Sequence, residues 1–188
     1  TPRLLAELHQ RWGRLPWPEL FAPAIRLARE GFAISPRLAG AIAAAGEFGN
    51  DAARAYFLHA DGTPRTAGER LANPEFAATL ETLAADGVDA YYRGPIADDL
   101  VRTVGTHAGN PGLLSAADLA AYTVRERPPV CAPYRGWRVC GMGPPSSGGV
   151  TLLELIGILE RLPPPPADMD AELAAVHRFA EAGRLAYA

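Results

Sequence analysis

One short stretch of the 188-residue chain combines residue types that could hold a ligand. Pro144-Pro145-Ser146-Ser147-Gly148-Gly149 lies between a β-rich segment and a long apolar segment, so we expect it at the N-terminus of a helix. Free backbone N–H groups at such a position can bind an anion or an oxyanion. The structural alternative is that Ser146 or Ser147 caps the helix while Gly148 and Gly149 allow close packing on a sheet. These four residues are the candidate site, and their spacing alone favours the structural alternative.

The other chemistry-bearing residues do not form a recognisable constellation. The stretch 144–149 has neither the Lys of a P-loop nor the Gly-x-Ser-x-Gly pattern of a nucleophile elbow. A triad of Ser147, one of the four histidines and an Asp such as Asp118 stays open, although any chain of this length contains these residue types. A metal site is not predicted, because the four histidines lie far apart without a second ligand three or four residues away. They are His9, His59, His107 and His177.

The two cysteines flank a hairpin signal, Arg135-Gly136, between two β-rich stretches. If these two residues form the whole loop, Cys131 lies opposite Cys140 in a non-hydrogen-bonded pair, where facing residues come closest. A cross-strand disulfide is then geometrically possible. Two half-buried free thiols are the alternative.

Composition excludes several classes of protein. The 18 basic residues are all Arg, the net charge is −3, and no basic cluster is present, which argues against nucleic-acid binding. The hydrophobic fraction of 48% is that of a soluble globular protein, and no apolar run is long enough to span a membrane. The chain begins at Thr1 rather than Met and ends within an apolar-periodic pattern, so we expect a piece of a longer protein.

Proline and capping residues mark the predicted helix starts in residues 1–122, which we interpret as a helical region. Ser115 and Asp118 have the spacing of a capping box. The other marked positions are Pro2, Pro18, Pro36, Pro74 and Pro95.

Residues 123–188 follow a different pattern, in which the hairpin and the loop at 144–149 precede two helices. The first helix is predicted over Val150 to Leu162, and Pro163 to Pro166 forms a stiff connector. Asp168 or Asp170 caps the last helix. We therefore predict an α+β fold, mostly helical with a small antiparallel hairpin, in one incomplete domain.

Eight ordered segments, spread over nearly the whole chain, together resemble the large subunit of the γ-glutamyltransferase family, also called γ-glutamyltranspeptidases or glutathione hydrolases. The segment Pro144-Pro-Ser-Ser-Gly-Gly149 is the most distinctive, and Gly143 departs from the family's proline run. The other segments are Arg14–Trp17 with Phe21–Ala28, Glu30–Phe32, Tyr92–Ala97, Asp118–Tyr122, Tyr134–Val139, and Ala180–Ala182 near Ala186–Tyr187.

The resemblance implies an N-terminal-nucleophile hydrolase with an αββα sandwich. Such a precursor cleaves itself and frees a Thr whose hydroxyl attacks the γ-glutamyl amide, and the glutamyl group passes to water, an amino acid or a peptide. That Thr begins the small subunit, whereas Thr1 corresponds to an internal stretch of the large subunit. The family's substrate-binding Arg lies upstream of this chain, and its Ser and Gly pairs belong to the small subunit. The resemblance therefore assigns no catalytic or substrate-binding residue to this chain and implies no cofactor. It predicts that the chain alone is inactive.

The implied partners are the small subunit of the same precursor and a small γ-glutamyl substrate. The family location is periplasmic or extracellular, which a disulfide would fit. Two alternatives stay open: a noncatalytic helical module that binds an anion or acts as a scaffold, and part of a related amide acylase. The predicted helix over 150–162 would leave an apolar face bare without the rest of the sandwich, so the isolated chain is expected to dimerise or to swap elements. That face consists of Leu152, Leu155, Ile156 and Leu159.

Overall fold

The structure is a computed structural model that describes residues 1–163 and 170–187. It divides into two compact units, Thr1–Val124 and Arg125–Ala188. Within the described residues, no helix has the length and apolar character that a membrane crossing requires.

The first unit is mainly helical. Its helices are α1 (Pro2–Trp12), α2 (Ala22–Glu30), α3 (Pro36–Ala44), α4 (Asp51–Phe57), α5 (Pro74–Asp86), α6 (Asp89–Tyr92), α7 (Pro95–Gly105) and α8 (Ala116–Ala121), with a 3₁₀ turn at Trp17–Leu20. Two short strands, β1 (Phe32–Ala33) and β2 (Arg70–Leu71), pair antiparallel. The predicted helix start at Pro18 was wrong, because Pro18 lies in the 3₁₀ turn and α2 begins at Ala22.

Side-chain caps confirm the predicted starts of three helices in this unit. The Ser35 hydroxyl accepts the Leu38 N–H at the start of α3, at 3.1 Å. The Asn73 side chain accepts the Phe76 N–H at the start of α5, at 2.8 Å. Ser115 and Asp118 form the predicted capping box of α8.

The core of the first unit brings together residues that are distant in sequence. Ile34, Ile42 and Leu71 are its fully buried centre, and the rings of Phe48 and Phe57 stack beside it with centroids 5.3 Å apart. Ile34 directly follows β1 and Leu71 lies in β2, so the pairing of these two-residue strands brings the two core residues together.

A second buried contact in this unit surrounds Tyr92, at the end of α6. The Tyr92 hydroxyl accepts the backbone N–H of Arg3 at 3.1 Å, and the Arg3 guanidinium lies 4.6 Å from the centre of the Tyr92 ring. Arg3 also forms an ion pair with Asp89 at 2.6 Å. The N-terminal helix α1 is thereby fastened to α6.

The second unit contains β3 (Val130–Tyr134), β4 (Trp137–Gly141), α9 (Gly148–Arg161) and α10 (Ala171–Ala186). The predicted hairpin register is confirmed, with Cys131 opposite Cys140 and Tyr134 opposite Trp137. Arg135 and Gly136 both have positive φ, 45° and 83°, which is the signature of a type I′ turn.

Both strands of the hairpin and α10 pack against α9. Leu155 of α9 is buried, and its Cδ1 lies 3.7 Å from where a Cβ of Gly183 in α10 would stand. The prediction of a bare face on α9 was therefore wrong for Leu155, because α10 covers it, while Leu152 is 44% exposed. Ile156 and Leu159, from the same predicted face, are half-buried.

The cap of α10 is Asp170, whose carboxylate accepts the N–H groups of Glu172 and Leu173 at 3.0 and 2.9 Å. The alternative cap, Asp168, and the connector residues 164–166 lie outside the described residues.

Candidate functional site

The candidate loop joins the end of β4 to the start of α9. Gly143 is buried, the peptide bond between Pro144 and Pro145 is cis, and the Ser146 N–H donates to the Gly143 carbonyl at 3.2 Å. Ser146 and Ser147 are exposed. The loop is thus a tight reversal that turns the chain from strand into helix.

Among the glycines of the second unit, Gly149 lies closest to the backbone of another segment. A Cβ on Gly149 would collide with the carbonyl oxygen of Met142 and would stand 2.8 Å from the carbonyl carbon of Gly141. In the reverse direction, a Cβ on Gly141 would stand 2.6 Å from the Gly149 Cα. Gly148 meets no such limit, since its nearest neighbour would be the Ser146 hydroxyl at 3.7 Å. Close packing of helix on strand therefore requires Gly149 and Gly141, but not Gly148.

The serines do not cap α9. Ser147 is the N-cap residue by position, but its backbone is helical, with φ −75° and ψ −25°, and its side chain makes no capping hydrogen bond. N-cap residues normally have an extended backbone, which allows the side chain to reach the N–H groups of the first turn. Its carbonyl begins the helix by accepting the Thr151 N–H at 2.9 Å. The interpretation that a serine side chain caps this helix was wrong, whereas the interpretation that Gly149 allows close packing on the sheet is confirmed.

Asp118, the acid named for a triad, is already engaged in a helix cap. Both the hydroxyl and the backbone N–H of Ser115 donate to the Asp118 carboxylate, at 2.6 and 2.9 Å. These hydrogen bonds stabilise the charged carboxylate and hold the pKa of Asp118 below its usual range. Asp118 is thus a helix-capping residue.

Three of the four histidines, His9, His59 and His107, have separate local partners. The ring Nε2 of His9 lies 2.7 Å from the Leu15 carbonyl, and that of His59 lies 3.3 Å from Glu69. The ring Nδ1 of His107 accepts the Asn110 N–H at 3.2 Å. Over residues 1–163 and 170–187, no cluster of three or more His, Cys, Asp or Glu side chains could hold a metal ion.

Cys131 and Cys140 form a disulfide, with their Cα atoms 4.1 Å apart. The separation is that of a non-hydrogen-bonded antiparallel pair, as the register requires. The bond covalently joins β3 to β4. The last residue of β4, Gly141, packs on Gly149.

The sequence did not indicate the groove of about 640 Å³ in the second unit. It is mostly apolar, and its walls include Val150 and Ile158 of α9, Val130 of β3 and Leu185 of α10. Gly157, in the middle of α9, also lines the groove. Among the described residues, a Cβ at Gly157 would meet only the Arg161 guanidinium of the same helix, at 3.4 Å, so this glycine marks no close approach of another element.

The comparisons with known proteins agree with the resemblance. A model of the gamma-glutamyltranspeptidase family matches residues 1–188. The crystal structure of a cephalosporin acylase from Bacillus halodurans superposes on the whole chain with a TM-score of 0.83 and 30% sequence identity, over 35% of its own length. The fold is that of a portion of an N-terminal-nucleophile hydrolase.

Two curated relatives represent two activities. The chain is 38% identical to the acylase ACY 1 proenzyme of Pseudomonas sp. strain SE83 and 34% identical to the glutathione hydrolase proenzyme of Escherichia coli K12. Each match covers 95% of this chain, which spans 31% and 30% of the two proenzymes. The chain belongs to the gamma-glutamyltranspeptidase family.

Proposed function

We propose that this chain is a large-subunit portion of an enzyme that cleaves γ-glutamyl amides of the glutathione type. The glutamyl group would pass to water, an amino acid or a peptide. The observation that carries this proposal is the family match over residues 1–188, together with the 34% identity to a glutathione hydrolase proenzyme. The implied partners are the small subunit of the same precursor and a γ-glutamyl small molecule.

The chain contributes structure rather than reacting groups, and we propose that it is inactive alone. Asp118 is engaged in a helix cap, and His9, His59 and His107 contact local backbone or carboxylate groups. The nucleophilic Thr that the family uses would lie in the small subunit.

A chromogenic γ-glutamyl anilide tests both parts of this proposal. The parent enzyme should cleave the amide bond and release the free aniline, the parent with its nucleophilic Thr changed to Ala should not, and the 188-residue chain should match that variant. Turnover by the chain alone would refute its inactivity. Failure of the intact parent would refute the γ-glutamyl substrate.

A second candidate function is amide cleavage of the acylase type. It is favoured by the 38% identity to an acylase proenzyme and by the superposition on a cephalosporin acylase. Comparing kcat/KM of the parent for a γ-glutamyl anilide and for an acylated cephalosporin separates the two functions. A higher value for the cephalosporin would assign the chain to the acylase branch.

We propose that the candidate loop places α9 on the hairpin instead of binding an anion. The requirement for glycine at Gly149, and the absence of a side-chain cap at Ser147, support this role. Titration of the chain with phosphate or glutamate should leave the amide chemical shifts of Ser147, Gly148 and Gly149 unchanged. A saturable shift at these amides would favour the anion-binding module.

One face of α10, continued by its C-cap residue Tyr187, supports a proposal about partners. Large apolar side chains on this face are exposed, with Leu173 and Val176 at 62%, Phe179 at 60% and Tyr187 at 78%. We propose that the remainder of the enzyme covers this face and that the isolated chain forms a homodimer through it. Light scattering should give a dimer that Val176→Asp converts to monomer, with Arg26→Asp as a control elsewhere on the surface. A monomeric wild-type chain would contradict the dimer.

The disulfide supports a periplasmic or extracellular location, since such bonds persist in oxidising compartments. Localisation of the tagged parent by cell fractionation tests this proposal. Recovery of the parent in the cytosol with both cysteines reduced would contradict it.

A further inference from the structure

The disulfide lies on the face of the hairpin that points away from α9. Successive side chains of a strand point to opposite faces, so Cys131 and Cys140 share one face with Pro133 and Arg138. Pro133, Arg138 and Cys140 are exposed, and Cys131 is half-buried. The opposite face packs against α9 and is half-buried at Val130, Ala132, Tyr134, Val139 and Gly141, whereas Trp137, at the turn end of that face, is 76% exposed.

The two cysteine residues of the disulfide differ in exposure, and an arginine lies beside them on the same strand face. Cys140 is the exposed partner, and Arg138 precedes it by two residues on the same strand face. A thiolate can attack only a sulfur that it can reach, and a nearby guanidinium attracts an approaching anion. Both features direct attack by an anionic thiol to Cys140.

We propose that the Cys131–Cys140 disulfide is a thiol-exchange site that takes a small anionic thiol of the glutathione class at the Cys140 sulfur. The incoming thiolate forms a bond to the Cys140 sulfur, the S–S bond breaks, and its electron pair leaves on Cys131 as a thiolate. Attack by Cys131 on the mixed disulfide reverses the step and expels the small thiol. Attack by a second thiolate on the small-thiol sulfur instead releases the oxidised small disulfide and leaves both cysteines reduced.

The choice of glutathione as the natural thiol rests on the proposed function, whereas exchange at Cys140 does not. The tests therefore use the 188-residue chain, in which no γ-glutamyl turnover is proposed. A failure of exchange then contradicts this inference alone, and a failure of the parent to cleave γ-glutamyl amides contradicts the proposed function alone.

Accessibility is measured on the wild-type chain with excess reduced glutathione, an alkylating quench and mass spectrometry. The disulfide of the folded chain should open within about tenfold of the rate found in urea, where both sulfurs are fully accessible. A folded-state rate slower than that would overturn the proposal, because it would show that the fold protects the bond.

The point of attack is measured with the single variants Cys131→Ser and Cys140→Ser and oxidised glutathione. In each variant the remaining thiolate attacks glutathione disulfide, forms a mixed disulfide and releases one glutathione thiolate. We expect the adduct at Cys140 to form at least about threefold faster than the adduct at Cys131, because Cys140 is the more exposed. Equal rates, or a faster reaction at Cys131, would overturn the assignment to Cys140, and the wild-type experiment stands if a variant misfolds.

The role of Arg138 is measured by charge. Arg138→Gln should slow exchange of the wild-type disulfide with glutathione about twofold to threefold at low salt, and should not slow exchange with the cationic thiol cysteamine. Arg26→Gln removes the same charge from an exposed position in α2 and should change neither rate. Equal slowing of both thiols by Arg138→Gln would reveal a structural effect and would overturn the electrostatic part of the proposal.

Discussion

Several helix caps and an apolar cluster stabilise the first unit, whereas the second unit, over its described residues, combines a single side-chain cap, Asp170 of α10, with a disulfide and a glycine contact. In the first unit, Ser35 and Asn73 cap helices and Ile34 is 2% exposed at the centre of the core. In the second, Cys131 and Cys140 crosslink the hairpin, and α9 touches it through Gly149 without a side-chain cap. The stability of the first unit therefore depends on many interactions that each contribute little. The stability of the second unit depends on a few contacts, at which a single substitution is expected to cause a large loss.

The largest expected effect in this comparison is at Gly149. We expect Gly149→Ala to lower the free energy of unfolding of the second unit by about 3 kcal/mol, because the new methyl group collides with backbone atoms. The matched control, Gly148→Ala, should be neutral or stabilising by up to about 1 kcal/mol, since its methyl group has room and alanine favours the helix. Hydrogen exchange of peptides from residues 125–163, followed by mass spectrometry, measures both. Equal effects would show that the glycine contact does not hold the unit together.

The disulfide should give the next largest effect. Changing both cysteines to Ala should lower the stability of the second unit by about 2–3 kcal/mol, the value expected for closing a loop this short. The first unit should keep its exchange rates. Dithiothreitol should reproduce the loss in the wild-type chain and have no effect on the double variant; an effect on that variant would show that the reductant acts elsewhere.

The capping residues distinguish the units more finely. Asn73→Ala should destabilise the first unit by about 1 kcal/mol, because the Phe76 N–H loses its acceptor. Ser147→Ala should leave the second unit unchanged, since this side chain makes no capping hydrogen bond. Urea unfolding followed by far-UV circular dichroism measures both. A loss at Ser147 similar to that at Asn73 would show that Ser147 caps α9 in solution.

The parts of the fold that the sequence predicted correctly depend on local chemistry. Ser35, Asn73 and the Ser115–Asp118 box mark helix starts through bonds to residues three positions away, and Arg135-Gly136 sets the hairpin register through its own backbone. These signals need no knowledge of the rest of the chain.

The parts that were missed depend on length or on distant residues. The prediction omitted α4 and α6, which are 7 and 4 residues long and are too short to show an apolar repeat. The strands β1 and β2 pair Phe32 with Leu71, and each is two residues long. A strand of two residues is too short to show an alternation of apolar and polar side chains. Periodicity also indicates that a helix has an apolar face without indicating what covers it, so Leu155 was expected to be bare.

The same limit applies to the candidate loop. Two adjacent glycines look alike in the sequence, but only Gly149 lies against the Met142 carbonyl. Two adjacent serines before a helix suggest a cap, yet the helical backbone of Ser147 prevents it. The direction in which β4 enters the loop decides which glycine lies against the backbone and whether a serine can cap the helix. This direction is a property of the folded unit.

Acidification should produce the smallest difference between the units. Hydrogen bonds from Ser115 lower the pKa of Asp118, and those from Thr66 and Thr63 lower the pKa values of Glu69 and Asp61, all in the first unit. In the second unit, Arg184 lowers the pKa of Glu181. A lowered carboxyl pKa stabilises the fold above the unfolded value of about 4, and this contribution is lost as the pH falls through the folded value. We therefore expect the first unit to lose more of its stability than the second between about pH 5 and pH 2, when both are followed by hydrogen exchange with correction for the intrinsic rate.

Asp118→Asn should reduce the pH dependence of the first unit and leave that of the second unchanged, because Asn keeps an acceptor oxygen for Ser115 but does not titrate. Glu181→Gln should give the reverse pattern, and a pH dependence unaffected by either change would show that these hydrogen-bonded carboxylates do not govern the response to acid.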